Sequence, residues 1–366
     1  MTEKTPAATG LYRSIHAQPE ALRELLTDWE LPTQIAERLH GTGRIFLAGI
    51  GTSYHAAIVG EYLLRLAGVD AWAVRSYEFV KYPRPLRADD SVMVISHRGG
   101  KLHGTMAVQR AIHEGVLTIG ITGKNSKMQG ANISLETVEQ DISSTHSISY
   151  TGALTRLGQI AARLATLGGA VEQAQRLEQG LSALPAQMDA ILQREDEIRQ
   201  VARDIVDHER RVYFVGAGPN SATAPEGALK AKEAAYITAE GFELEQAIHG
   251  PMVAFESNDL IIPVSVKGPA QPRMADSLLA LSEIGTRVLL LGDIPSVETM
   301  ALFNRDGWTR FALTDGANEM EELTPFLAAL PVQLLADFLA AARGTNADSF
   351  RLDQDAYKRA NARLQL

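Results

Sequence analysis

The sequence predicts an α/β protein of two tandem units, each a parallel sheet flanked by helices in a flavodoxin-like three-layer α/β/α arrangement. Three observations carry the prediction: short apolar runs alternate with helix-like sequence, glycine turns close those runs, and the whole series occurs twice. A chain of 366 residues with 45% hydrophobic content is long enough for two such units, each with its own core.

Residues 1–32 are expected to form an N-terminal helical arm, because Leu22, Leu25, Leu26 and Trp29 follow the i, i+3, i+4, i+7 spacing of one apolar helix face. Residues 33–170 are assigned to the first unit. There Arg44-Ile45-Phe46-Leu47-Ala48 reads as a buried strand, Gly49-Ile50-Gly51-Thr52-Ser53 as a tight turn, and 54–67 as a helix. Apolar runs at 92–95 and 116–121 continue the rhythm. Residues 171–200 are rich in Gln, Glu, Arg, Ala and Leu at helical spacing, which predicts connecting helices and rigidly docked units. The second unit, 201–343, restarts the series. Arg211-Val-Tyr-Phe-Val-Gly216-Ala-Gly218 matches residues 44–51 in type almost throughout, and runs at 260–265 and 288–292 answer the later strands. Residues 344–366 are left as a C-terminal tail.

Composition narrows the function. Lys and Arg number 35 against 44 Asp and Glu, and the net charge of −9 opposes nonspecific attraction to nucleic acid or anionic membrane. The start, MTEKTPAATG, lacks the features of a signal peptide, and no later run is read as reaching the roughly 18 apolar residues that span a bilayer. A cytoplasmic protein is expected. With no cysteine, disulfides, thiolate zinc sites and cysteine nucleophiles are excluded. No metal or cofactor is expected either.

Three turns invite an anion. A glycine pair at a strand end lets the chain turn onto a helix whose first N–H groups and positive dipole end face outward. Gly51, Thr52 and Ser53 form one such turn, Ser96, His97, Arg98 and Lys101 a second, and a hydroxyl-rich segment with Ser144 and Thr145 a third. In a parallel sheet all three would gather at the carboxyl ends of strands, which favours a phosphate-binding crevice. Ordinary helix caps use the same residue types, so that plainer reading stays open.

The residues then resemble a known family, the sugar isomerase (SIS) domain proteins, and within it the isomerase half of the glucosamine-6-phosphate synthases. The resemblance spans nearly the whole chain. It is strongest at Glu226-Gly-Ala-Leu-Lys230-Ala-Lys-Glu233, Tyr236-Ile237, Ala239-Glu240 and His249-Gly250-Pro251. Gly51-Thr-Ser-Tyr-His55, Glu78-Phe79, Ser144-Thr145, the run 331–336, Gly344-Thr345, Asp348 and Arg351 support it. The resemblance implies that Glu233 shuttles a proton between C1 and C2 of an open-chain sugar phosphate. It also implies that His249 assists ring opening from a partner subunit, and hence a homodimer with shared sites. Lys230, one turn before Glu233, is expected either to steady that carboxylate and a developing enolate or to form a surface i, i+3 ion pair.

The chain departs from the family in four places. The usual Ser-Gln-Ser-Gly-Glu-Thr loop reads Ser96-His97-Arg98-Gly99-Gly100-Lys101, which puts Arg98 and Lys101 where the family has hydroxyls. Ile50 stands where a cysteine is usual. The tail lysine that forms a Schiff base in the synthases is replaced by Asp355, and the nearest lysine, Lys358, would need a three-residue bulge to serve. The sequence before Ile45 has no room for a glutaminase domain, so glutamine is not expected as a direct nitrogen source. The expected activity is C1/C2 chemistry on a phosphorylated hexose or amino sugar, with glucosamine-6-phosphate deamination, or synthesis from ammonia, as the leading case. Deglycation of a phosphorylated sugar–amine adduct is a second reading, and a noncatalytic sugar-phosphate sensor a third.

Overall fold

A computed structural model describes residues 8–126, 128–314 and 320–364. Three helices come first, α1 (Gly10–His16), α2 (Gln18–Leu25) and α3 (Glu30–Leu39). The first α/β unit comprises β1 (Ile45–Gly49), α4 (Thr52–Leu66), β2 (Ala71–Arg75), α5 (Ser76–Lys81), β3 (Ser91–Ile95), α6 (Leu102–His113), β4 (Leu117–Thr122) and β5 (Ile133–Glu136). Helices α7 (Ile148–Leu167), α8 (Val171–Leu192) and α9 (Glu195–Asp207) then lead into the repeat. It comprises β6 (Val212–Gly216), α10 (Thr223–Ala235), β7 (Ala239–Glu243), α11 (Leu244–Ile248), β8 (Leu260–Ser265), α12 (Gln271–Ile284), β9 (Arg287–Gly292), α13 (Val297–Met300) and β10 (Trp308–Phe311). Two helices close the chain, α14 (Thr324–Arg343) and α15 (Asp355–Leu364).

The two sheets have one topology. The first runs β2-β1-β3-β4-β5 and the second β7-β6-β8-β9-β10, with every neighbouring pair parallel. Register repeats as well: Ile45 pairs with Ala71 and Ser91, and Val212 with Ala239 and Leu260. Strands covered by helices on both faces must be apolar on both, and β1 and β3 are buried along their whole lengths. Ile45, Leu47, Met93 and Ile95 join the large core cluster with α4 and α7, while Phe46, Ala48, Val92 and Val94 pack on the opposite face with residues of α5 and α6.

That large cluster also holds residues of α1 to α3, α8 to α10 and α14, so both units share one apolar core. The stretch Glu321–Arg343 is, by length and composition, apolar enough to cross a bilayer, contrary to the expectation from sequence. Most of it, 89% of its apolar window, is buried inside the protein, because α14 is a central packing helix here.

Glycine fixes the same sharp turn in both copies. A Cβ on Gly49 would lie 2.3 Å from the Ser53 carbonyl oxygen, and one on Gly216 only 2.0 Å from that of Asn220. Two residues later, Gly51 and Gly218 take φ of +55° and +54°, values that a side chain disfavours.

Candidate active site

In a sheet of this order the crossovers leave β1 in opposite directions, and a crevice opens past the carboxyl ends of β1 and β3. Residues just beyond the strands meet there around a cavity of about 330 Å³. After β1 come Gly51, Thr52 and Ser53; after β3, Ser96, His97 and Lys101; from β4 and β5, Thr122 and Thr137. Leu229 and Glu233 on α10 and Phe350 of the tail complete the wall from the second half of the chain. No side chain caps α4 or α6, so their positive ends stay available to an anion. Thr52 and Ser53 form the first turn of α4 itself.

A buried ladder of charges lies behind the cavity on α10. Residues 226, 230 and 233 share one helix face, and Lys230, fully enclosed, bridges the two carboxylates: its Nζ donates to Glu233 Oε2 at 2.5 Å and lies 3.6 Å from Glu226 Oε1. Burial alone would push the Lys230 ammonium down, but Glu233 and Glu226 outweigh it and hold its pKa above the usual lysine value. Glu226 is fully buried too, accepting from Thr52 Oγ1 at 3.1 Å and paired with His55 Nδ1 at 2.5 Å. Burial works against its charge, but Lys230, His55 and Thr52 keep its carboxyl below the ordinary range. The surface-pair reading of Lys230 fails because the helix face that carries it packs into the shared core. Glu233, with its side chain 18% exposed, is the sole carboxylate among the described residues lining the cavity.

The third turn is built differently from the expectation. Ser144 and Thr145 do not line the cavity. The Ser144 N–H donates to the Asp348 carbonyl and Thr145 Oγ1 to that of Ala347, so both bind the tail. The N-terminus of α7 is already filled by an internal anion, the Asp141 carboxylate, which accepts from the N–H groups of Ser147, Ile148 and Ser149 at 3.0 to 3.3 Å and faces His146 Nδ1 at 3.1 Å. Burial would raise Asp141, but the hydrogen bonds and charge of His146, with Ser149 and Ser147, bring its carboxyl down to about 2. His146 and Ser149 line the cavity in place of the expected pair.

His97 lines the cavity but is not a free cation. Its Nε2 accepts from the Asp141 N–H at 3.3 Å. Burial, helped by His146 and Arg98, lowers its pKa to about 4 against the opposing pull of Asp141. Arg98 is exposed and outside the lining. Lys101 sits at the rim, its ammonium lowered by burial and by Arg98 and raised by the charge of Glu233, which places cation and carboxylate across one space.

His249 and Lys358 are not brought to the cavity. The His249 side chain is 70% exposed beside Glu245, 3.0 Å away, and Lys358 lies on the exposed helix α15. The tail is nevertheless anchored near the site: Tyr236 Oη donates to the Asn346 carbonyl at 2.7 Å, and Arg351 stacks on the Tyr236 ring at 4.4 Å. Two lining hydroxyls were not anticipated. Ser76 Oγ and Tyr150 Oη are buried and have no hydrogen-bond partner among the described residues. Burial and the charge of Glu226 keep the Tyr150 phenol protonated. In the second half, the corresponding ground beyond β6 and β8 is taken by Glu321, whose carboxylate lies against Gly218 and Gly268.

Known proteins share this plan. The SIS domain matches residues 38–158 and 205–293. The isomerizing glutamine–fructose-6-phosphate aminotransferase of Gloeobacter violaceus is 30% identical over 96% of this chain, which spans 59% of that relative's length. Among solved structures, the C-terminal domain of glucosamine-fructose-6-phosphate aminotransferase from Francisella tularensis aligns with a TM-score of 0.83 at 21% identity, covering 95% of this chain and 99% of that one. Glucosamine-6-phosphate deaminase from Thermotoga maritima aligns with a TM-score of 0.66 at 18% identity, covering 93% and 97%. These two structural likenesses establish the shared fold.

Proposed function

Because this chain belongs to the SIS-domain family, we propose that it is a sugar-phosphate enzyme of the aldose–ketose isomerase type, acting at C1 and C2 of a phosphorylated hexose or amino sugar. One observation carries the reading: the cavity's only described carboxylate, Glu233, is held by a fully buried lysine that stays protonated. Moving a proton between adjacent carbons needs one base that can take it from the first and return it to the second. Glu233 is that base. Lys230 fixes its direction, and the bare starts of α4 and α6, with Ser53 and Lys101, receive the phosphate, while the Thr52 hydroxyl stays donated to Glu226. Ser76 and Tyr150 offer hydroxyls to the sugar, since nothing among the described residues uses them.

The leading reaction is interconversion of glucosamine-6-phosphate with fructose-6-phosphate and ammonia, consistent with what the relatives' names describe. A homodimer fits the exposed position of His249, which would serve a partner's cavity. Deglycation of a phosphorylated fructose–amine adduct uses the same base and remains the second reading, because Lys358 lies outside the cavity and no tail amine enters it. The test is to incubate the purified chain with glucosamine-6-phosphate, with fructose-6-phosphate plus ammonia, and with phosphorylated fructose–amino acids, following ammonia and sugar products. Turnover of the first two supports the leading reaction. Turnover of the third alone moves the assignment to deglycation, and binding without turnover would replace the enzyme by a sensor.

A further inference from the structure

The chain carries its strand-end glycine turns twice, and strand register fixes which residues correspond. Ile45 pairs with Ser91, and Val212 with Leu260, so the two pairs hold equivalent places in their sheets. Counting onward from them, Gly218 answers Gly51, Ser265 answers Ser96, and Gly268 answers Gly99. In the first unit these turns face open space. Gly51 and Ser96 line the cavity, and a Cβ added to Gly51 would meet nothing nearer than Leu229 at 3.7 Å.

In the second unit the same ground is filled by an anion that belongs to the chain. A Cβ on Gly218 would lie 2.8 Å from Glu321 Oε1, and one on Gly268 2.4 Å from Glu321 Oε2. A single carboxylate thus spans the turns after β6 and β8. Among the described residues no cation is paired with it, and burial and the charge of Glu322 raise its pKa. Its charge is therefore held where the surroundings oppose it.

The carboxylate leaves part of the crevice unused. No side chain caps α12, whose first turn follows Gly268. Ser265 is 2% exposed, and its Oγ has no hydrogen-bond partner among the described residues. Strand alternation places Ser265 on the face of β8 that carries Ile261, which packs with Met274 and Leu278 of α12, so the hydroxyl belongs to the side where α12 begins. A buried hydroxyl without a partner is costly. The planar carboxylate has two oxygens and both lie over the glycine turns, whereas a tetrahedral phosphate has further oxygens to offer Ser265.

We propose that the second unit holds a second anion site, for inorganic phosphate, and that Glu321 is the built-in competitor that keeps it closed. Phosphate enters only as the carboxylate leaves the turns, so its apparent affinity is reduced by the fraction of time that Glu321 is seated.

Isothermal titration with inorganic phosphate tests this on wild type, Glu321→Ala, Glu321→Ser, Glu322→Ala and the double variant Glu321→Ala/Gly268→Ala, beside melting curves. Either Glu321 variant should bind one more phosphate per chain than wild type, at a site about tenfold or more tighter than any weak second binding that wild type shows. Glu322→Ala removes the same charge without vacating the turns and should add none. The double variant puts a Cβ where the Glu321 carboxylate lay and should return the count to that of wild type. If neither Glu321 variant gains a phosphate, or if Glu322→Ala or the double variant gains one equally, the second site does not exist. Because each count is a difference from wild type, failure of the sugar chemistry at the first cavity would leave this result intact, and the reverse holds too.

Discussion

His97 allows a quantitative prediction about acid sensitivity. Its side chain is 9% exposed, and its pKa falls from 6.5 to about 4 on folding, chiefly through burial. Between those values the unfolded chain binds a proton that the folded chain refuses, so stability rises with pH across the window and is lost as pH falls. At about 1.4 kcal/mol per pH unit the whole window amounts to roughly 3 kcal/mol. Asp141 and Glu226 lose their contributions at lower pH, since their carboxyls are depressed below the ordinary range. Glu321 and Asp337 are raised by burial and oppose the trend, so the comparison must be a difference. His97→Gln retains an acceptor for the Asp141 N–H and cannot titrate. Urea unfolding of both proteins from pH 7.5 to 4 should show wild type losing about 3 kcal/mol more than the variant, most of it between pH 6.5 and 4. Parallel curves would refute the burial of a neutral imidazole at this position.

Three further outcomes follow from the same geometry. Lys230→Met leaves Glu226 and Glu233 without their shared cation and should cost about 3–5 kcal/mol in urea unfolding; a loss under about 1 kcal/mol would contradict the buried ladder. Tyr150→Phe removes a hydroxyl with no partner among the described residues, so stability should hold within about 1 kcal/mol while KM for the sugar phosphate rises roughly tenfold. If sites are shared across a dimer, inactive Glu233→Gln and His249→Ala proteins mixed after partial unfolding and refolding should regain about a quarter of wild-type turnover, and no recovery would confine the site to one chain.

The interior of each sheet was legible because strands buried on both faces must be apolar throughout, as at residues 92–95 and 260–265. The edge strands were not. β2, β5, β7 and β10 have four or five residues, open positions, and polar or small members such as Glu240 and Gly241, so no periodicity separates them from loops. The cavity-lining positions of Gly51, Thr52 and Ser53 followed from a glycine turn, and that of Glu233 from the helix motif that carries the family resemblance. Lys230 was ambiguous because an i, i+3 pair has the same spacing on a surface or in a core, and only the packing of α10 decides. Ser144 and Thr145 look like anion ligands until Asp141 is seen to fold back onto α7. The available signal was an acidic residue shortly before a Ser/Thr-rich helix start, the pattern of a self-capped terminus.

The central claim is that Glu233 moves the proton between C1 and C2. It is tested most directly by Glu233→Gln, which keeps the size of the side chain and a hydrogen-bonding oxygen for Lys230 while removing the base. Turnover and solvent-deuterium incorporation into the C1 hydrogens of fructose-6-phosphate should fall about a thousandfold or more, with sugar-phosphate affinity within about threefold of wild type. A Glu233→Gln protein that still exchanges those hydrogens at the wild-type rate would contradict the account.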